Sequence, residues 1–133
     1  MKLFICETGV NQFYSRLDIL KDFINYSKNS LSIKKDHEIY LVDNRQNYNI
    51  KTVAYCDHDF RKIFVYVKGR AFSDVLRSIA HEMVHIKQHE EGEEIDHEFL
   101  HFHSHSEDEA NMLSVSLFNA YAEVKGNDII FEN

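Results

Sequence analysis

The chain has 133 residues, is 44% hydrophobic and 28% charged, and carries a formal net charge of −7. These values predict one soluble, globular domain that covers residues 1–133. The acidic balance argues against a nucleic acid partner, because phosphate binding needs clustered Lys and Arg. The chain contains no run of about 18 apolar residues, so we expect no transmembrane helix and no membrane partner.

Cysteine content and the first ten residues together predict a cytoplasmic location. Cys6 and Cys56 are the only cysteines, which is too few for a disulfide framework and fits a reducing compartment. The segment Met1 to Val10 also lacks the basic run and the long apolar core of a secretory signal.

The predicted elements define an α+β fold. Apolar residues spaced three and four apart predict helices, and short β-rich runs bounded by turn residues predict strands. In chain order we predict a strand at Lys2 to Cys6, a helix at Ser15 to Lys28, strands at Glu38 to Val42, Ile50 to Cys56 and Ile63 to Val67, a helix at Val75 to Gln88, a polar loop at Glu90 to His105, a helix at Ser106 to Val124, and a strand at Asp128 to Phe131. The turn residues Asp57, His58 and Asp59 predict a hairpin between the third and fourth strands.

The helix predicted at Val75 to Gln88 carries the sequence His81-Glu82-Met83-Val84-His85. Two histidines four residues apart lie on one helix face and can share a metal ion. Neutral imidazoles suit zinc, which in catalytic sites takes three protein ligands and a water. Glu82 leans toward the metal without binding it, so it can take a proton from the zinc-bound water and deliver it to a leaving amine. The motif therefore predicts a Zn²⁺-dependent hydrolase with His81 and His85 as ligands and Glu82 as the catalytic base.

The alternative interpretation of this motif is a surface helix with scattered histidine and glutamate. Apolar residues surround much of the helix, which is typical of a buried helix. Polar groups beside a core are costly unless they are paired or coordinated, so burial favours the metal site. The apolar residues are Leu76, Ile79, Ala80, Met83, Val84 and Ile86.

Glu109 is the predicted third ligand. It lies four residues before Leu113 and eight before Leu117, on the apolar stripe of the last helix, where an inward carboxylate favours a cation. Glu109 can instead form a capping box with Ser106, and its role would then be to satisfy the helix end. Glu107, at the same helix start, is the alternative ligand.

The polar loop before this helix is rich in histidine. Tracts of this kind bind metals, so the loop could supply another zinc ligand or a second metal site. The simpler interpretation is a solvated loop near the cleft. The loop histidines are His97, His101, His103 and His105.

The run from Ile79 to Gln88, followed by Glu109-Ala110-Asn111, resembles the gluzincins. In detail it is similar to small phage-encoded metallopeptidases of the SprT-like and ImmA/IrrE-like groups. The likeness covers roughly Ile50 to Leu117, and Ile63 to Arg70 leads into the motif helix. The resemblance implies a zincin-like fold in which a small mixed or antiparallel sheet packs on the motif helix, while a second helix carries the third ligand.

The resemblance also implies a function. His81, His85 and Glu109 would bind Zn²⁺, and Glu82 would be the general base of a peptidase that hydrolyses a peptide or protein substrate. An edge strand, either Ile63 to Val67 or Ile50 to Cys56, would align that substrate above the metal. A phage-encoded protein of this kind would act in the cytoplasm of the host cell or accompany the virion.

A second function class remains open. The chain could be a catalytically silent zinc-binding protein, structural or interacting, such as a phage component that keeps the zincin fold. The presence of Glu82 favours the enzyme, because a structural zinc site has no use for a base and is usually closed by four ligands.

Overall fold

The computed structural model describes residues 1–5, 15–44, 52–92 and 105–126. Within these ranges the chain forms three helices and a four-stranded mixed sheet, which confirms the predicted α+β class. The elements in chain order are β1 (Lys2–Ile5), α1 (Leu17–Ser30), β2 (Glu38–Val42), β3 (Ala54–Asp57), β4 (Lys62–Tyr66), α2 (Phe72–Glu90) and α3 (His105–Lys125). None of these helices is both long enough and apolar enough to span a membrane.

The sheet has the strand order β1-β2-β4-β3. Strands β1, β2 and β4 run parallel, and β3 pairs with β4 in the antiparallel direction, from Ala54 opposite Val65 to Asp57 opposite Lys62. The predicted hairpin is thus confirmed. Its turn is closed by the Phe60 amide, which donates to the Asp57 carboxylate over 3.2 Å.

The position of β4 corrects one of the two predictions for the edge strand. The segment Ile63 to Val67 was a candidate edge, but β4 lies between β2 and β3 and pairs with both. Among the described strands β3 occupies that edge, in agreement with the alternative at Ile50 to Cys56. The reason is that β4 pairs directly with β2, although β3 comes between these two strands in the chain. The hairpin strand β3 can then pair only with the other side of β4, which is the edge of the sheet.

Helix α2 is longer than predicted at both ends, since it runs from Phe72 to Glu90. It begins early because Ala71 takes an extended backbone conformation and its carbonyl accepts the amide protons of Asp74 and Val75, both over 3.1 Å. Several other predictions lie outside the described residues. They concern the strand at Asp128 to Phe131, Cys6, and the loop histidines His97, His101 and His103.

Helix α2 lies at the centre of the packing. It contacts β3 and β4 in the sheet, and it also contacts α1 and α3. The strands present Ile39, Leu41, Ile63 and Val65 to the core at alternate positions, as the period of a strand requires. Because α2 has neighbours on several sides, twelve of its residues are buried, including Glu82, His85 and Gln88. The predicted burial of the motif helix is therefore confirmed.

Phe118 should be a major source of stability for the packing of α3. Its fully buried ring meets Phe23 edge-on at 6.4 Å, and the Arg77 guanidinium lies 4.5 Å from its centroid. We expect Phe118→Ala to lower the free energy of unfolding by about 3–5 kcal/mol, as measured by urea denaturation. Val115→Ala, at a position of α3 that is 47% exposed, is the control and should stay within about 0.5 kcal/mol of wild type. Equal losses in the two variants would contradict this account of the core.

Candidate metal centre

The two motif histidines meet a carboxylate from α3. His81 and His85 lie one turn apart on α2, and Glu107 lies in the first turn of α3. The Nε2 atom of His81 is 3.2 Å from Glu107 Oε2, and the Nε2 atom of His85 is 2.7 Å from Glu107 Oε1. One ligand atom from each of the three residues lies within 4.8 Å of the other two. Donor atoms this close can bind one ion, since zinc bonds to nitrogen and oxygen are about 2.0–2.2 Å long.

The chemistry of these three residues fits zinc. Burial lowers the pKa of His81, and the neighbouring His85 lowers it further, against the opposing charge of Glu107. A lowered pKa favours the neutral imidazole, which is the form that binds a metal. Two imidazoles and one carboxylate form a ligand set that catalytic zinc sites use. Among the described residues no other group of His, Cys, Asp and Glu has this arrangement.

Glu82 lies in the core beside these residues. Only 9% of its surface is exposed, and burial raises its pKa to about 7, with His85 acting to lower the pKa and Glu107 to raise it. Burial, and after it negative charges that include Glu82, raise the pKa values of Tyr55 and Cys56 in β3, the strand that α2 contacts. A carboxyl group with a pKa near 7 can both accept and release a proton at neutral pH.

Glu109, the predicted third ligand, occupies a different place from Glu107. Its Oε1 accepts a hydrogen bond from Gln88 Nε2 over 2.9 Å, and it is not part of the group formed by His81, His85 and Glu107. The structure therefore brings Glu107, the alternative ligand, to the two histidines, and it does not bring Glu109 to them. Helix α3 begins at His105, so Ser106 lies inside the helix and not at the preceding position where a capping box would place it.

Two residues that the sequence did not single out complete the surroundings of the histidines. Gln88 is fully buried and faces His85, with 2.7 Å between Oε1 and Nδ1. Asn111 forms a side-chain hydrogen bond with His81. Their spacing offered a signal, since Gln88 follows His85 by three residues and Asn111 follows Glu107 by four, so each pair shares a helix face.

Other polar residues near α2 serve elsewhere in the molecule. The His89 ring stacks on His58 at 4.5 Å between centroids, beyond the metal group along the helix. His105 is exposed at the start of α3. The Tyr121 hydroxyl donates to Asp22 over 2.7 Å and so links α3 to α1. These contacts leave the group of His81, His85 and Glu107 as the candidate centre in the described part of the chain.

Comparison with known proteins gives no match to a family model, to a curated protein or to a solved structure. The function has to be inferred from the residues of the site and their geometry.

Proposed function

We propose that the protein is a zinc-dependent peptidase with a zincin-like fold, in which His81, His85 and Glu107 hold the metal and Glu82 is the catalytic base. The observation that carries the proposal is the convergence of the two histidine Nε2 atoms on one carboxylate, at 3.2 and 2.7 Å. Glu107 replaces Glu109 in the ligand set because its oxygens, and not those of Glu109, lie at hydrogen-bonding distance from both rings.

Hydrolysis by this site would divide the chemistry between the metal, which acts as a Lewis acid, and Glu82, which transfers protons. Zinc, when bound, supplies a Lewis acid that makes water more acidic and polarises a carbonyl group. Glu82 follows His81 on the same helix, and its buried carboxyl group has a pKa raised to about 7. It can therefore take a proton from the attacking water and pass it to the leaving amine. Three protein ligands also leave a coordination position open, which a structural site usually closes with a fourth.

The sheet edge supports a peptide as the substrate. Strand β3 is an edge strand among those described, and α2, the helix that carries Glu82, contacts it. An extended peptide can add to such an edge by main-chain hydrogen bonds, which need no particular side chains. The Tyr55 side chain on β3 is 44% exposed and is available to contact the peptide.

Metal content and peptide cleavage together test the proposal. We expect metal-free protein incubated with zinc to retain about one ion per chain after dialysis. His81→Ala and His85→Ala should retain none, as determined by elemental analysis. The loaded wild type should cleave members of a peptide mixture followed by mass spectrometry, and a chelator should stop the cleavage.

The outcomes separate the two function classes. Zinc binding with chelator-sensitive cleavage supports the peptidase. Stoichiometric zinc binding without cleavage of any peptide would favour the catalytically silent zinc protein. A wild type that holds no more zinc than the two alanine variants would overturn both.

A further inference from the structure

Gln88 joins the two helices that form the candidate metal centre. Its side chain is fully buried, three residues beyond His85 on α2. Its Nε2 donates to the Ser106 carbonyl and to Glu109 Oε1, each over 2.9 Å, and its Oε1 lies 2.7 Å from His85 Nδ1. One amide group thus contacts a motif histidine on one side and the first turn of α3 on the other.

These contacts fix the orientation of the Gln88 amide. A backbone carbonyl can only accept hydrogen bonds, and so can an ionised carboxylate. The end of the Gln88 amide that faces Ser106 and Glu109 must therefore be the NH₂ group, because a flipped amide would place oxygen against two acceptors. The opposite end, which faces His85, must then be the oxygen.

The orientation of the amide fixes a proton on His85. An amide oxygen can only accept, so the contact at 2.7 Å requires that His85 Nδ1 carry a hydrogen. With the hydrogen on Nδ1, the other ring nitrogen can offer its lone pair to a metal. That nitrogen, Nε2, faces Glu107 at 2.7 Å, where a bound metal ion would take the place of a hydrogen shared with the carboxylate.

We propose that Gln88 is a positioning residue for the metal centre, which holds the Nδ1 proton of His85 and ties the start of α3, with Glu107, to α2. The inference rests on the metal site of the proposed function. It gives Glu109 a role as well, because the Glu109 carboxylate accepts one of the two Gln88 N–H bonds and so helps to hold the amide in place. Supporting partners of this kind set the ring orientation and the basicity of a ligand.

The proton can be observed directly in the metal-free protein. Long-range ¹H–¹⁵N NMR spectra distinguish a ring nitrogen that carries hydrogen from one that does not. In the wild type we expect His85 Nδ1 to carry hydrogen. In Gln88→Leu the Nδ1 hydrogen should be lost, because Nδ1 then has no acceptor while Nε2 still faces the Glu107 carboxylate at 2.7 Å.

Zinc affinity, measured by competition with a chromophoric chelator, gives a second readout. We expect Gln88→Leu to weaken zinc binding by about 10–100-fold, as loss of a supporting partner does. Lys87→Leu is the matched control on the same helix, because Lys87 pairs with Glu91 and lies outside the site. It should bind zinc within about twofold of wild type, well below the effect of a lost supporting partner.

Several results would overturn the inference. One is a wild-type His85 whose Nδ1 carries no hydrogen, and this measurement needs no variant that folds. Another is a Gln88→Leu protein that keeps both the wild-type ring signal and the wild-type affinity. A purely structural Gln88 would lower stability without moving the proton. A wild type that binds no zinc would contradict the proposed function, whereas the NMR spectrum would still decide the position of the proton.

Discussion

Glu107→Ala is expected to weaken zinc binding more than any other single change on α3. The two carboxylate oxygens of Glu107 lie 3.2 Å and 2.7 Å from the Nε2 atoms of His81 and His85. Removing it deletes a ligand, so the loss should exceed the roughly 10–100-fold effect of removing a supporting partner. Glu109→Ala should fall within that smaller range, because Glu109 acts through Gln88. Chelator competition measures both affinities.

Asp108→Ala is the matched control for these two variants. Asp108 is exposed, lies between them and shares the first turn of α3 with Glu107, so it has the same favourable interaction with the helix dipole. Its removal tests whether lost charge at a helix start is enough to weaken zinc binding. If Glu109→Ala loses zinc while Glu107→Ala binds it as wild type does, the ligand predicted from the sequence is correct and the assignment of Glu107 is wrong.

Glu82→Gln is expected to keep zinc and the fold while peptidase activity falls by about 10²-fold or more. The amide has nearly the shape of the carboxylate and fits the same buried position on α2, but it cannot accept a proton from water. Activity on a cleaved peptide, zinc content and the free energy of unfolding should be measured on the same preparation. The three values separate lost chemistry from lost metal and from lost structure.

A matched control for this variant lies on α3. Glu123 is exposed, so Glu123→Gln makes the same chemical change far from any proposed role and should leave activity unchanged. A Glu82→Gln protein that cleaves peptide at the wild-type rate would show that another group is the base. Loss of zinc in the same variant would instead indicate that Glu82 supports the metal.

The sequence predicted the part of the site that lies on α2, because the motif and the apolar residues share one helix and local periodicity describes a helix well. It placed Glu109 on the stripe of Leu113 and Leu117, and both of these side chains do pack against the core. They are only half-buried, however, whereas the neighbouring stripe of Ala110 and Ser114 is buried. Small side chains let two helices approach closely, and this is a property of the pair that hydrophobicity along one helix does not reveal.

The order of the strands in the sheet could not be predicted from the sequence either. Strands β2 and β4 pair in parallel, although β3 lies between them in the chain. Alternation of buried and exposed residues along a strand reports which face is buried, but it contains no information on which neighbour lies at each side. Ile63 to Val67 could therefore be assigned as a strand but not as an interior one.

The two halves of the candidate centre sit at different places in their helices, with the histidines inside α2 and Glu107 in the first turn of α3. The histidines belong to α2, which contacts both other helices and two strands, and amides in such central elements exchange with solvent only in the largest openings of a protein. Glu107 belongs to the first turn of α3, and helix ends fray unless contacts hold them, as the buried Gln88 holds Ser106 and Glu109 here. We therefore expect the exchange of a bound ion to depend on Gln88, because opening this turn breaks its hydrogen bonds while the histidine pair stays ordered. The rate at which a metal ion exchanges at this centre would then follow the opening of one helical turn and not the unfolding of the domain.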